Sequence, residues 1–403
     1  MKSRILHASM FALLPSGGWG LPILLESPPG KGKTAIVTQY AARCGVPFMR
    51  LSPGLHGEGA FGVVPVPRDG VLTFPPHEWT RPFVATGRGI VLVDEVTTAD
   101  RALQPPMLAL LDSKAIGGVI LPPGVRVLGA CNNADDAANG TDLAPALANR
   151  FGWFSWETTA EDHVAYSLAL AARVAARCAG TAAEVTTIDQ PIDVAAEEAR
   201  VLAGWGDAFT WATGLKVGFL SAHPDYLYRK PGGLGNAGRA WTSDRTWDLA
   251  TSWLAASRVH ALTDGERDEG IAAFVGAVTA EAWGGYLDGS AKNPPAADVL
   301  DERIAWAPDR AKVDAASAML ASCMTLVMPA NAPRRVERTI VLWRLIDAMD
   351  AACRDAIVPI VVTMLSAKLH AADPRLLVAS KRTLASLRDI LRIDGAAKLG
   401  GAS

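Results

Sequence analysis

The segment Ser27-Pro28-Pro29-Gly30-Lys31-Gly32-Lys33-Thr34 has the residue types that wrap a phosphate group, set between an apolar run and a helical one. Glycines such as Gly30 and Gly32 let a backbone approach an anion closely with its N–H groups aimed at it. The N-terminus of the following helix adds a favourable dipole. In such a loop Lys33 would reach the β and γ phosphates of a nucleotide, and the Thr34 hydroxyl would ligate Mg²⁺. One position departs from the pattern G-x-x-x-x-G-K-[ST]. Ser27 stands where the first glycine belongs, while Gly30-Lys31-Gly32-Lys33-Thr34 is intact.

Three further segments end in polar residues where such chemistry needs them. Ile90-Val91-Leu92-Val93 is an apolar run closed by Asp94 and Glu95. Held rigidly beside the loop, Asp94 would support the Mg²⁺ shell, and Glu95 would orient and polarise an attacking water. Phosphoryl transfer asks for positioning, a cation and charge neutralisation more than for covalent chemistry. Val125 to Cys131 ends in Asn132 and Asn133. Either could hydrogen-bond a γ-phosphate or the water, and both are also ordinary turn formers ahead of Asp135-Asp136. A short helix ends at Arg150, before the apolar stretch Phe151–Trp156. An arginine there could enter a neighbouring subunit's site and stabilise transition-state charge. It could equally be a helix-terminal cation on the dipole.

The elements that must hold these groups alternate over the first 155 residues. Leu21–Leu25, Pro47–Leu51, Ile90–Val93 and Val125–Ala130 read as strands, and Lys33–Cys44 and Ala102–Leu111 as helices. Continuous apolar strands separated by helices predict a parallel sheet covered on both faces. Between Gly54 and Phe74, Val63, Val64 and Val66 face Val71, Leu72 and Phe74 across Arg68-Asp69-Gly70, a hairpin signal. It is either a plain connection or a loop aimed at a substrate or a ring pore. After residue 157 the chain reads as helical over Glu161–Cys178, Ala195–Leu220, Arg245–Val259, Ala311–Leu326, Arg335–Met349 and Arg375–Ile393. Tyr228–Gly238 reads as a loop and Asp288–Ala297 as a linker. In Arg335–Met349 the apolar residues Val336, Ile340, Trp343 and Ile346 recur at spacings of three and four, a core-facing stripe.

The totals exclude several classes. The 403 residues are half apolar and a fifth charged, which is globular rather than disordered or fibrous. A net charge of −2 gives no hint of a basic nucleic-acid face. The five cysteines, Cys44, Cys131, Cys178, Cys323 and Cys353, are scattered and form no CxxC pair, so a reducing, cytoplasmic compartment is expected, without zinc or a disulfide framework. Lys2 and Arg4 before Ile5–Leu14 read as the start of an amphipathic helix, not a signal peptide. No apolar run approaches the ~20 residues that span a membrane.

The four polar segments, in this order, resemble the AAA+ ATPases, and among them the MoxR-like family. The stretches that carry the likeness are Ser27–Thr34, Asp94-Glu95-Val96-Thr97-Thr98-Ala99, Asn133, and Asn139 to Phe151. The resemblance covers residues 5–156 best, extends more weakly to 260, and is loose beyond. It implies an α/β, three-layer P-loop NTPase core over residues 1–156, a helical lid over 157–260 and a C-terminal helical region over 261–403. It implies ATP and Mg²⁺ as ligands, Asn133 as a sensor, Arg150 as an arginine finger, and a sensor-2 arginine at the start of a lid helix. Arg245, at the start of a helix that Thr242 or Ser243 would cap, fits that place, with Arg239 the alternative. Ala134 follows Asn133 where the family usually has proline. The family further implies a homo-oligomeric ring, perhaps a hexamer, a chaperone-like remodelling task, and a protein partner that often contains a von Willebrand factor A domain.

Two other classes of function stay open beside an ATP-driven remodelling enzyme. One is a nucleotide-dependent switch or scaffold with little turnover. The other is a nucleic-acid motor, for which Arg334, Arg335, Arg338 and Arg344 with Lys381, Arg382, Arg388 and Arg392 would supply basic strips. Five tryptophans between Trp205 and Trp253 read as packing rather than a base-stacking platform, and His56 and His77 carry no assigned role.

Overall fold

The computed structural model describes residues 2–62, 65–133, 143–178, 190–230, 239, 241–309, 312–349 and 354–387. Val63 and Val64 of the expected hairpin, the stretch 134–142, Cys353, Arg388 and Arg392 lie outside the described residues. The chain divides into two compact units that interleave along the sequence. The first is Met1–Trp205 with Lys230–Gly276, and the second is Gly206–Arg229 with Ala277–Ser403. The sequence reading divides the chain linearly instead, at 156 and 260.

The first unit holds the strands β1 (Ile23–Glu26), β2 (Phe48–Leu51), β3 (Val66–Arg68), β4 (Val71–Thr73), β5 (Arg88–Val93), β6 (Ala115–Ile116), β7 (Val119–Ile120), β8 (Gly124–Cys131) and β9 (Gly152–Ser155). Its helices are α1 (Lys2–Met10), α2 (Lys33–Cys44), α3 (Pro53–Ala60), α4 (Thr80–Thr86), α5 (Gln104–Ser113), α6 (Pro145–Ala148), α7 (Ala160–Cys178), the first part of α8 (Val194–Ala222), α9 (Asp244–Val259) and α10 (Asp264–Val275). Five strands form one parallel sheet in the order β2-β5-β8-β1-β9. The central strands are buried along nearly their whole length, which is why they read as unbroken apolar runs. With its glycine-rich loop between β1 and α2, this is the α/β P-loop core with a parallel sheet expected from the sequence. A helical C-terminal region follows it.

The hairpin pairs Val66 with Thr73 and Arg68 with Val71 around Asp69-Gly70. The two turn residues take positive φ, as a tight hairpin turn requires. Val71 and Leu72 on it are exposed. The short strands β6 and β7 and the helix α3 carry no clear sequence signal, whereas α10 opens on a capping box of Thr263 and Glu266.

Helices α9 and α10 close the β9 edge. Phe154 on β9 packs edge-on against Trp253 of α9 and Phe274 of α10, at 5.6 and 6.3 Å between ring centroids. Trp247 and Trp253 are fully buried here, in line with packing rather than base stacking. Gly270 lies against the Trp253 ring so closely that a Cβ there would fall 1.8 Å from a ring atom.

Under the sheet, Glu198 of α8 accepts from both Arg88 and Arg126, each at 2.8 Å. Arg126 is 3% exposed, lies over the Phe11 ring, and also donates to the Met10 carbonyl. One turn away, His7 of α1 bridges Tyr40 of α2 at 2.8 Å and Glu197 of α8 at 2.9 Å. Burial pushes the His260 imidazole down to about 4 and also lowers His7, while hydrogen bonding from Arg200 holds the Glu197 carboxyl at about 2.

The second unit contains the end of α8 with α11 (Ala277–Ser290), α12 (Ala296–Leu300), α13 (Val313–Val327), α14 (Arg335–Asp347), α15 (Arg354–Ser366) and α16 (Pro374–Ser386). Trp343 and Ile346 of the predicted stripe are buried, in one core with Leu320, Cys323, Ile360 and Met364; Val336 and Ile340 pack on its edge. The expected linker shrinks to residues 291–295, because α11 runs to Ser290 and α12 begins at Ala296. No helix among the described residues is long and apolar enough to cross a membrane.

Candidate phosphate site and arginine pair

The loop after β1 has the backbone a phosphate cradle needs. Gly30 and Gly32 take φ of +80° and +76°, and nothing lies within 4 Å of where a Cβ would stand on either. Ser27 is not among the positive-φ residues, so the first position of this loop does not require glycine. The serine is put to use. Its hydroxyl accepts from Lys33 Nζ at 2.8 Å and donates to the Pro28 carbonyl at 3.0 Å. Lys33 is nearly buried and also donates to the Ser27 carbonyl at 2.9 Å. Its ammonium is thus held inside the loop by oxygens that a phosphate would replace or join. Lys31 is positioned from outside, with its carbonyl accepting from Trp156 Nε1 at 3.3 Å.

Asp94 and Glu95 sit at the C-terminal end of β5, level with the loop. Thr34 Oγ1 donates to Asp94 Oδ2 at 2.7 Å, and the Glu95 N–H donates to Asp94 Oδ1 at 3.1 Å. Asp94 is 4% exposed, whereas Glu95 is exposed and takes a left-handed backbone, φ +56°. That turn aims consecutive acids in different directions, one into the loop and one outward. Thr34 and Asp94 together present a hydroxyl and a carboxylate, the hard oxygen donors that suit Mg²⁺.

Arg50, which no sequence motif marks, donates from Nε to the same Asp94 oxygen at 2.7 Å. The pairing of β2 with β5 brings it there, since Leu51 is opposite Val93. Just beyond β8, Asn132 reaches the loop, accepting from Lys33 Nζ at 3.1 Å. Beside them, burial pushes the Cys131 thiol up to about 12, so it is a packed apolar group and not a nucleophile.

The two candidate sensor-2 arginines lie at different ends of the sheet. Arg239 donates to both oxygens of Glu26, at 3.0 and 3.1 Å, and Glu26 is the residue before the loop. Arg245 is at the other end, with Nη2 3.9 Å from Asp112 Oδ2. Arg245, at the start of α9, thus stands at the end of the sheet away from the loop of its own chain. The capping box of Ser243 and Thr246 starts α9 there, and Asn149 fixes the start by donating to the Trp241 carbonyl at 2.7 Å and accepting from Ser243 at 2.8 Å.

Arg150 stands at this same far end. Gly152 pairs with Ile23, the first residue of β1, while the loop follows the last residue of β1. Arg150 therefore stands at the end of the sheet opposite its own phosphate loop. It grips Asp112 with two hydrogen bonds, at 2.7 and 2.5 Å. A cluster of His7, Glu197 and His260 has metal-like spacing, within 4.8 Å. Arg200 already donates to both Glu197 oxygens, so that cluster is closed by its own cation.

Fold and loop together define an α/β P-loop core. No protein-family profile and no curated protein matches the chain. Among solved structures it is similar to a candidate ATPase from Cytophaga hutchinsonii, with 15% identity, 68% of this chain and 85% of that chain covered, and a TM-score of 0.41.

Proposed function

We propose that this protein binds ATP with Mg²⁺ at Ser27–Thr34 and hydrolyses it in a homo-oligomeric ring of the MoxR-like kind, using turnover to remodel a protein partner. The observation that carries the reading is the meeting of Lys33, Thr34, Asp94 and Asn132 around one glycine loop, with Arg150 held at the opposite end of the sheet. Bound Mg²⁺ would supply charge neutralisation between the phosphates. Lys33 would exchange loop oxygens for phosphate oxygens, with Asn132 keeping it oriented. Glu95, exposed at the strand tip, would align the attacking water and draw on its proton. Asn133, next to Asn132, would lie toward the water side. Arg150 of one copy would complete the site of the next. A cytoplasmic setting and a partner with a von Willebrand factor A domain belong to the same proposal.

A switch with little turnover is the second reading, and the Arg50–Asp94 pair favours it, because the guanidinium neutralises the acid that a metal shell would use. A nucleic-acid motor is disfavoured. Arg334 and Arg338 are spent on Asp301, Arg344 on Glu302, Arg382 on Asp347, and Arg335 on the Val327 carbonyl. Nucleotide binding and steady-state hydrolysis decide among these. Lys33→Ala is expected to abolish binding, and Glu95→Gln to bind normally and not turn over. Normal turnover in Glu95→Gln would remove Glu95 from the mechanism. Binding without turnover in the unmodified chain, at every protein concentration, would leave the switch.

A further inference from the structure

Arg150 is held by more than its charge requires. Nε and Nη2 donate to the two Asp112 oxygens, and Nη1 donates to the Ala146 carbonyl at 2.5 Å. A guanidinium has five N–H groups. Three are used, which leaves one on Nη1 and one on Nη2. Those two together form the fork with which arginine takes a pair of oxygens from one phosphate. Asp112 thus fixes the plane of the guanidinium and leaves its binding edge available. The Arg150 side chain is only 14% exposed, so its freedom to point elsewhere is small.

Asp112 also governs the second arginine. Arg245 Nη2 approaches the same Oδ2 that Arg150 Nη2 holds. Two guanidiniums converging on one carboxylate repel each other without it. The three side chains line a cleft of about 280 Å³, together with Asp248 and the apolar Leu14 and Leu111.

We propose that Asp112 is the positioning residue of this arginine pair, holding Arg150 and Arg245 as one two-pronged cation for the terminal phosphate of a nucleotide bound to a second copy of this chain. The proposal rests on the reading of Arg150 as a residue that acts on its neighbour. Asp112 itself touches no substrate and makes or breaks no bond. Its effect is therefore on the turnover of the neighbouring site, not on nucleotide affinity in its own chain.

The test is steady-state ATP hydrolysis by Asp112→Asn, Asp112→Glu, Arg150→Ala and the double variant D112N/R150A, with nucleotide affinity and melting temperature measured alongside. Asp112→Asn is expected to lower kcat by about ten- to a hundredfold, the cost of a misplaced group, and to leave KM for ATP within about twofold. Asp112→Glu, which keeps the bidentate acceptor, should recover most of the loss, and the double variant should be no slower than Arg150→Ala. Mixing Asp112→Asn with Glu95→Gln should restore turnover, because the second supplies an intact arginine pair and the first an intact loop. Wild-type kcat in Asp112→Asn, a double variant slower than Arg150→Ala, or no restoration on mixing would overturn the proposal. Should Asp112→Asn melt early, the kcat of a normally folded Asp112→Glu decides: near wild type supports the proposal, and as low as Arg150→Ala overturns it. Normal turnover in Arg150→Ala would instead sink the shared-site reading itself.

Discussion

The two ends of the parallel sheet are built by different means. At the loop end, contiguous residues do the work. Eight consecutive positions make the cradle, and Asp94 and Glu95 are neighbours in sequence. At the far end nothing is contiguous. Asp112 comes from α5, Arg150 from the turn between α6 and β9 and Arg245 from α9, and Asn149 ties two of those segments together. The loop end can adopt its shape from local backbone rules, chiefly positive φ at two glycines. The far end exists only when helices distant in sequence have packed.

Four substitutions probe that contrast, beginning with the largest effect. Glu198→Ala leaves Arg126 buried without its carboxylate under the far end, and is expected to cost about 3–5 kcal/mol of stability by chemical denaturation. A loss below about 1 kcal/mol would mean that the carbonyls and the Phe11 ring suffice for Arg126. Next, Arg239→Ala and Arg245→Ala should behave oppositely. The first should weaken nucleotide binding about tenfold and the second should leave binding intact and slow turnover, as their places beside Glu26 and Asp112 require. Equal effects on affinity would erase the distinction between the ends.

The smallest effect is a pH dependence. His260 is held near 4 when folded, against 6.5 in the open chain, so the unfolded state binds more protons between those values. Stability should be full above about 6.5 and fall as pH drops toward 4. Glu197, held at about 2 rather than 4.5, adds a further loss only below about 4.5. In His260→Gln the fall in melting temperature between pH 7 and 4.5 should be smaller by about 2–4 °C. An unchanged slope would put the buried proton deficit elsewhere.

The same contrast explains what could be read from the residues alone. The sheet and the loop were legible because apolar runs, glycines and paired acids are local signals. Arg50 was invisible, since a lone arginine in a short strand gains meaning only from the register of β2 on β5. The contact of Asn132 with Lys33 depended on where β8 ends, and the choice between Arg239 and Arg245 on which end of the sheet each reached. Asp112 ends an ordinary amphipathic helix, and only its two arginine partners single it out. The helices α10 and α3 were missed because the glycines Gly265 and Gly270 in one, and Gly54, Gly57 and Gly59 in the other, speak locally against helix.

The interleaving of the two units sets an order in time. Residues 206–229, which belong to the second unit, leave the ribosome before residues 230–276, which complete the first. At about 5–20 residues per second, β9 waits several seconds for α9 and α10 to cover Phe154. During that interval the nascent chain displays an unfinished apolar edge next to a finished phosphate loop. For the same reason a fragment stopping at 156 or 205 keeps the loop yet lacks its last wall, and one that holds the whole first unit must run to Gly276 and carry residues 206–229 with it.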